Sequence, residues 1–404
     1  MKQLAVIIAG GGIGGLAAAL GLARKGVNSI VLERAAEFGE IGAGIQIGPN
    51  AFHCFDYLGV GDQARARAVY IDSLRLMDAV DGEAIATIPL DDEFRKHFGN
   101  PYAVVHRADL HGVLLDACRD SELIELRTHH RVRAYRQDGD SVRVECEGGA
   151  VLQGRALIGA DGLHSDIRQQ LVADGEPRIS GHSTYRSVIP TEQMPAELRW
   201  NAATLWAGPK CHIVHYPLKG WKLFNLVVTY HNDVEQAFAG KPVSKDEVRR
   251  GFEHIAQGAQ QIIEHGKDWK LWVLCDRDPI LNWVDGRVAL LGDAAHPMLQ
   301  YLAQGANMAI EDAVVMARYL ELSGFDFERA FRWYEQARYL RTARVQVTAR
   351  YYGDIYHAAG VVREVRNWFL RPDAPPDPKA KPNFSGVAWL YDGITVPTAA
   401  PAEG

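Results

Sequence analysis

Three separated groups of residues in this chain could do chemistry on a nucleotide. The first is a glycine run, Gly10-Gly11-Gly12-Ile13-Gly14-Gly15, set between an apolar stretch and an Ala/Leu-rich one. Gly10, Gly12 and Gly15 fit G-x-G-x-x-G. The first allows a tight turn and the second lets a pyrophosphate approach the backbone. The third lets the following helix pack on its strand, with the phosphates at the helix's positive end. Ile13 and Gly14 belong to the same turn. Glu33 closes the next apolar run, VNSIVLE, where a carboxylate can accept ribose hydroxyls, and Arg34 follows it. The other groups are Asp161-Gly162 after ALIGA and Gly292-Asp293 after VALL. A single Asp of this kind is explained as well by a turn or a helix N-cap. Two of them downstream of a nucleotide turn predict flavin contacts, with Asp293 on a ribityl hydroxyl. Gly305, Ala306 and Asn307 open a further helix. Its unpaired N–H groups can face the pyrimidine end of an isoalloxazine and stabilise negative charge on reduced flavin. The three groups together predict FAD, held tightly and non-covalently along its length.

These residues need a frame. Residues 4–8 read as a buried strand, 13–25 as a helix and 27–33 as a second strand, a βαβ unit. A glycine-rich loop over 39–50 leads into helical spacing. Residues 72–90 alternate like a hairpin turning at Asp81-Gly82, and 107–120 form an amphipathic helix. Three strands follow, with turns at Asp138-Gly139 and Gly148-Gly149. From about 180 to 275 alternating strands and a polar helical stretch at 244–265 read as an inserted sheet domain. Helices are expected over 305–322 and 326–358. The expected fold is α/β: a Rossmann-like FAD-binding domain, an inserted β-sheet substrate domain and C-terminal helices. Its expected parts are 1–178, 179–276, a return with the late helices over 277–370, and an irregular Pro-rich tail over 371–404.

Composition excludes several classes. With 404 residues, 47% hydrophobic and 23% charged, the chain suits a globular protein with two cores. A net charge of -6 argues against a nucleic-acid partner. Cys54, Cys118, Cys146, Cys211 and Cys275 are scattered and have no C-x-x-C spacing, so neither a disulfide framework nor a metal site is expected. No run approaches the ~18 apolar residues of a membrane span, and no signal peptide is apparent. A cytoplasmic location is expected. Apolar residues around Tyr351–Val362 allow a homodimer face.

GGGIGG with Glu33, GADGLHSDIR and LLGDAAHPMLQYLAQGANMAIEDA resemble the three fingerprints of single-component FAD-dependent aromatic hydroxylases of the para-hydroxybenzoate hydroxylase type. The resemblance spans about residues 4–345. Through GNPYAVVHRADLH, GPKCHIVHYPL and DRDPILNWVDGRVALLGD it is strongest to the 3-hydroxybenzoate 6-hydroxylases. It implies FAD, NADH and O2, and hydroxylation of 3-hydroxybenzoate to gentisate through a flavin C4a hydroperoxide. Arg107 matches the family's FAD-contacting arginine. Gln46 stands in GAGI-x-IGPN, where 6-hydroxynicotinate monooxygenases carry histidine, which counts against that decarboxylating relative.

An electrophilic oxygen donor needs an electron-rich ring, and a phenol becomes richer when its proton is polarised or removed. In CHIVHYPL, strand alternation puts His212, Val214 and Tyr216 on one face. A histidine near neutral pKa or a tyrosine acceptor can do this work. A sheet histidine and a core tyrosine would explain the pair as well; the resemblance places both beside substrate. Gln300 is expected to turn its amide to the same pocket and bind carboxylate or phenol. Tyr102 and Pro297 are expected in the pocket wall. His296 reads as a backbone organiser rather than a base, Trp269, Trp272 and Trp283 as packing, and Asp276-Arg277-Asp278 as an ion-paired turn. No second G-x-G-x-x-G exists, so NADH is expected to visit a transient site. Competing readings are a decarboxylating salicylate or 6-hydroxynicotinate hydroxylase, a non-catalytic flavin-bearing binding protein, and a plain NAD-dependent dehydrogenase.

Overall fold

A computed structural model of the chain describes residues 4–39, 42–371, 383–392 and 396–401. Two large sheets meet along one long cavity. The first has six strands in the order Val284–Asp285, Val288–Leu290, Leu157–Gly159, Val6–Ala9, Ser29–Leu32 and Ile124–Arg127. All neighbours are parallel except the short first pair. Buried parallel strands are continuous apolar runs because helices cover both faces. VIIA and LIG have no exposed residue. The helix Ile13–Ala23 covers one face. Its Gly21 lies against Ala313 and Ala317 of the helix Gly305–Leu322, so two glycine- and alanine-rich surfaces bring these helices close.

The second sheet has eight strands: Ala239–Pro242, Lys270–Asp276, Arg178–Pro190, Leu223–His231, Cys211–Leu218, Ala202–Gly208, Ser73–Asp78 and Ala84–Pro89. The hairpin expected over 72–90 thus joins this sheet, with Ser73–Asp78 running parallel to Ala202–Gly208. Two strands that come early in the chain complete the sheet of the later segment. The polar stretch 244–265 is two helices, Lys245–Arg249 and Gln257–His265, separated around Gly251 at φ 91°.

The glycine-rich loop contains a strand, Gly44–Ile47, paired with Ala103–His106. The late helices run over Gly305–Leu322 and Phe327–Tyr356, and a further helix spans Gly360–Leu370. The tail corrects an expectation. Its Pro-rich segment 372–382 lies outside the described residues, but Ser385–Tyr391 is helical rather than irregular. Phe384 and Tyr391 pack edge-on against Phe94, and Tyr391 also against Phe98; that aromatic burial fixes a segment with no long-range signal in its own sequence. The five cysteines are free thiols. Among the described residues no helix is long and apolar enough to cross a membrane.

Candidate active site

The site begins where the first strand ends. Gly10 adopts φ 110°, and a Cβ there would overlap the Ala160 carbonyl; a Cβ on Gly15 would overlap the Gly10 carbonyl. The turn is therefore glycine by steric necessity at both ends. Glu33 is positioned by two backbone donors, Gly11 N–H at 2.9 Å and Ala35 N–H at 2.8 Å. His111 bonds the Gly11 carbonyl at 2.8 Å and pins the turn from below.

From this turn a continuous cavity of about 910 Å³ runs between the sheets. Gly10, Gly12, Ile13, Gly14, Glu33, Arg34, Arg107, Asp161, Asp293, Gly305 and Ala306 line one reach of it. Gln46, Tyr102, His212, Tyr216 and Gln300 line the other. Three expected residues are not on its wall. Gly15 packs against Gly10. Buried Pro297 uses its carbonyl to accept the Gln346 amide at 3.1 Å. Asn307 has its side chain turned away: it accepts from Gly48 N–H at 3.0 Å and donates to the carbonyls of Gln46 at 3.2 Å and Ala303 at 2.9 Å. It fastens the Gly44–Ile47 strand to the helix start.

Asp161 also has structural work. It accepts from the Ser165 hydroxyl at 2.5 Å and the Ile167 N–H at 3.4 Å, while burial raises its pKa. The Gly292 turn is held by Asp312, which accepts from Gly292 N–H at 3.0 Å and pairs with His296 at 2.6 Å. Asp312 and Glu311 in turn share Arg338, at 2.7 and 2.5 Å. Burial opposes both carboxylates' charge, but the neighbouring cations win and hold them below their ordinary range. His296 thus braces the carboxylate that holds the turn and makes no side-chain bond to backbone itself. Asp276 and Asp278 share Arg350, and Arg277 pairs with Asp174.

The substrate end is assembled across the second sheet. His212 lies opposite Thr229, and Tyr216 opposite Asn225. Both face the cavity, while His215 is buried on the other face beside Trp206. Asn225 accepts from Gly44 N–H at 3.0 Å, and a Cβ on Gly44 would strike the Tyr216 ring, so strand and ring are interlocked. Tyr102 donates to Gln46 Oε1 at 2.5 Å. Burial drives the His212 pKa down to about 3 and raises that of Tyr216. Both are neutral near pH 7, so the expectation of a histidine near neutral pKa does not hold: burial leaves the imidazole uncharged with a lone pair to offer, and the tyrosine hydroxyl offers hydrogen bonds but takes up no proton.

Gln300 is differently engaged from what its position suggested. Its Nε2 donates to Thr184 and Thr229 hydroxyls at 3.1 and 3.0 Å, and its Oε1 accepts from Arg186 Nη2 at 3.0 Å. The amide orients a cation. Arg186 lines the cavity, its guanidinium lies 5.3 Å from the Trp272 ring centre, and its buried Nε has no protein acceptor. Desolvation lowers its pKa first, with Arg107 adding to the effect. Sequence reading missed Arg186: TYRSVIP shows only a charged residue in an alternating strand. It also missed Tyr391, which reaches the cavity from the tail.

A family model described as FAD binding domain matches residues 3–346. The chain is 53% identical over 97% of its length to 3-hydroxybenzoate 6-hydroxylase 1 of Aquipseudomonas alcaligenes, covering 98% of that protein. It belongs to the FAD-dependent aromatic hydroxylases. Identity to 3-hydroxybenzoate 6-hydroxylase of Polaromonas naphthalenivorans is 48%, over 96% of each chain. Among solved structures, Klebsiella pneumoniae HpxO complexed with FAD and uric acid matches with a TM-score of 0.80 at 28% identity, covering 91% of this chain and 92% of that one. The turn that excludes a Cβ at Gly10 and Gly15 and the continuous groove past Asp161 and Asp293 to the helix start at Gly305 fit this family's FAD.

Proposed function

We propose that the chain hydroxylates 3-hydroxybenzoate at the carbon para to its phenol, giving gentisate, with NADH and O2 consumed and NAD+ and water released. The observation that carries this reading is the pairing, in one cavity, of a neutral buried His212 and Tyr216 with a cation, Arg186, oriented by Gln300. A hydroxybenzoate has those two complementary ends. FAD, when bound, supplies the redox chemistry that activates O2. The chain's own groups do the rest. Arg186 takes the carboxylate through its unpaired Nε–H, a charge-assisted contact. His212 accepts the phenol proton as oxygen is transferred, and Tyr216 fixes the phenol oxygen beside it. Tyr102, Gln46 and Tyr391 close the wall and keep bulk water out. Gln46 in place of histidine speaks against 6-hydroxynicotinate. Glu33, Arg34, Arg107, Asp161 and Asp293 are the proposed FAD contacts, together with the glycine turn and the Gly305–Ala306 helix start. NADH visits without a dedicated nucleotide fold. We further propose a cytoplasmic location and a homodimer; support for the dimer comes from the exposed apolar face of Val361, Val362, Val365, Trp368 and Phe369.

A panel of monohydroxybenzoates tests the reading. 3-Hydroxybenzoate should stimulate NADH consumption far above the 2- and 4-isomers. Equal stimulation by all three, or none by any, would refute the assignment.

A further inference from the structure

Behind His212, away from the cavity, lies a histidine cluster that the hydroxylation reading does not use. His182 and His231 face each other across paired strands, and His357 caps the C-terminal end of the long helix Phe327–Tyr356. One ligand nitrogen from each can be chosen so that all three lie within 4.8 Å of one another. Backbone bonds brace the group: Lys210 N–H donates to the His357 carbonyl at 3.0 Å, and His231 N–H to the Lys210 carbonyl at 2.8 Å. Each ring also has a nitrogen tied to an outer partner. His182 Nδ1 bonds Tyr301 Oη, His231 Nε2 pairs with Asp233 at 3.0 Å, and His357 Nε2 bonds His212 Nδ1 at 2.8 Å. Outer partners of this kind fix ring tautomers at histidine metal sites. The decisive atom is His357 Nδ1. It is buried with no hydrogen-bond partner, in a residue only 9% exposed. A buried ring nitrogen left unpaired is costly, and a cation would satisfy it.

We propose that His182, His231 and His357 form a binding site for a divalent cation of the zinc class, coupled to the catalytic cavity through His212. Three imidazoles with an open fourth position suit zinc, whose Zn–N distance of ~2.0–2.1 Å holds tetrahedral ligands roughly 3.4 Å apart. His231, whose side chain is 37% exposed, opens the site to solvent. The coupling follows from one proton. With the metal on His357 Nδ1, that ring's proton sits on Nε2 and is donated to His212 Nδ1. His212 then carries its own proton on Nε2 and has no lone pair left for a phenol proton. Metal binding thus inhibits turnover. This consequence rests on the proposed role of His212, whereas the binding itself does not.

Calorimetric titration of the holoenzyme with Zn2+, without substrate, tests the site. We expect one zinc per chain, with at least tenfold weaker binding in both His231→Gln and His182→Gln, whose FAD content matches wild type. Zinc should suppress hydroxybenzoate-stimulated NADH consumption in wild type, EDTA should restore it, and His231→Gln should resist it. Absence of binding, or equal binding in wild type and both variants, would overturn the site. Binding that leaves turnover intact would overturn the coupling to His212, and because calorimetry needs no substrate, this is separable from an error in the substrate assignment.

Discussion

The two reaches of the cavity are built on opposite principles. At the nucleotide end, the phosphate turn is built from neighbours in sequence, and its backbone geometry is what makes room for a ligand. Gly10 to Gly15 form one turn, and Glu33 is fixed by Gly11 and its own neighbour Ala35. At the substrate end, partners come from everywhere. Gly44 bonds Asn225, Gln300 bonds Thr229 and Arg186, and Tyr391 arrives from the tail. A backbone-built site tolerates few substitutions within it, because steric room is its active ingredient. A side-chain-built site can lose one group and keep its shape, so its residues can be removed singly and their roles separated.

The sharpest test of that contrast is Gly15→Ala. One methyl group there overlaps the Gly10 carbonyl, so the purified protein should lose its yellow colour and essentially all bound FAD. A fully loaded variant would show that the turn is more plastic than its geometry implies. His212→Ala should leave FAD content intact yet slow hydroxylation by roughly 10²-fold or more, the usual scale of a lost general base. Peroxide release should rise, and Tyr216→Phe should act in the same direction. Peroxide that stays flat in His212→Ala would remove that residue from oxygen transfer. Arg186→Gln should raise KM for the aromatic acid about 10–100-fold, the equivalent of one charge-assisted contact. Gln300→Ala should reproduce part of this effect, since it acts through Arg186.

The smallest effect separates the two ends by pH. Burial lowers the pKa of His182 to about 4 and of His212 and His215 to about 3, from an ordinary 6.5. Between those values the unfolded chain binds protons that the fold refuses, so stability is full above 6.5 and declines as pH falls below it. Glu311 and Asp312 are also depressed, but by neighbouring cations rather than by burial, so their contribution persists until pH falls below ordinary values of 4.5 and 3.8. Hydrogen exchange at pH 5.5 should therefore show the strands at 182–190 and 211–218 losing protection relative to pH 7 before the helix at 305–322. Uniform loss would contradict the histidine assignment.

The same contrast explains what the sequence could tell. Strand, glycine turn, helix and acid are encoded within a few dozen residues, and their steric logic is readable without a structure. The alternation of CHIVHYPL put His212 and Tyr216 on one face for equally local reasons. Arg186, the spent amide of Gln300 and the inward-reaching Tyr391 were not readable, because each depends on a strand or helix far away in the chain. The residue type and position of Asn307 suggest only a helix-start residue near flavin. Its side chain instead serves the Gly44–Ile47 strand, a pairing only the folded chain reveals. The histidine cluster has no spacing signature at all: positions 182, 231 and 357 meet only in space.

Product analysis under turnover with 3-hydroxybenzoate, NADH and O2 decides whether the chain is a para-hydroxylase. One 2,5-dihydroxybenzoate should form per NADH consumed, with the carboxylate retained. Release of carbon dioxide, hydroxylation at another carbon, or NADH consumption that yields only peroxide would contradict that assignment.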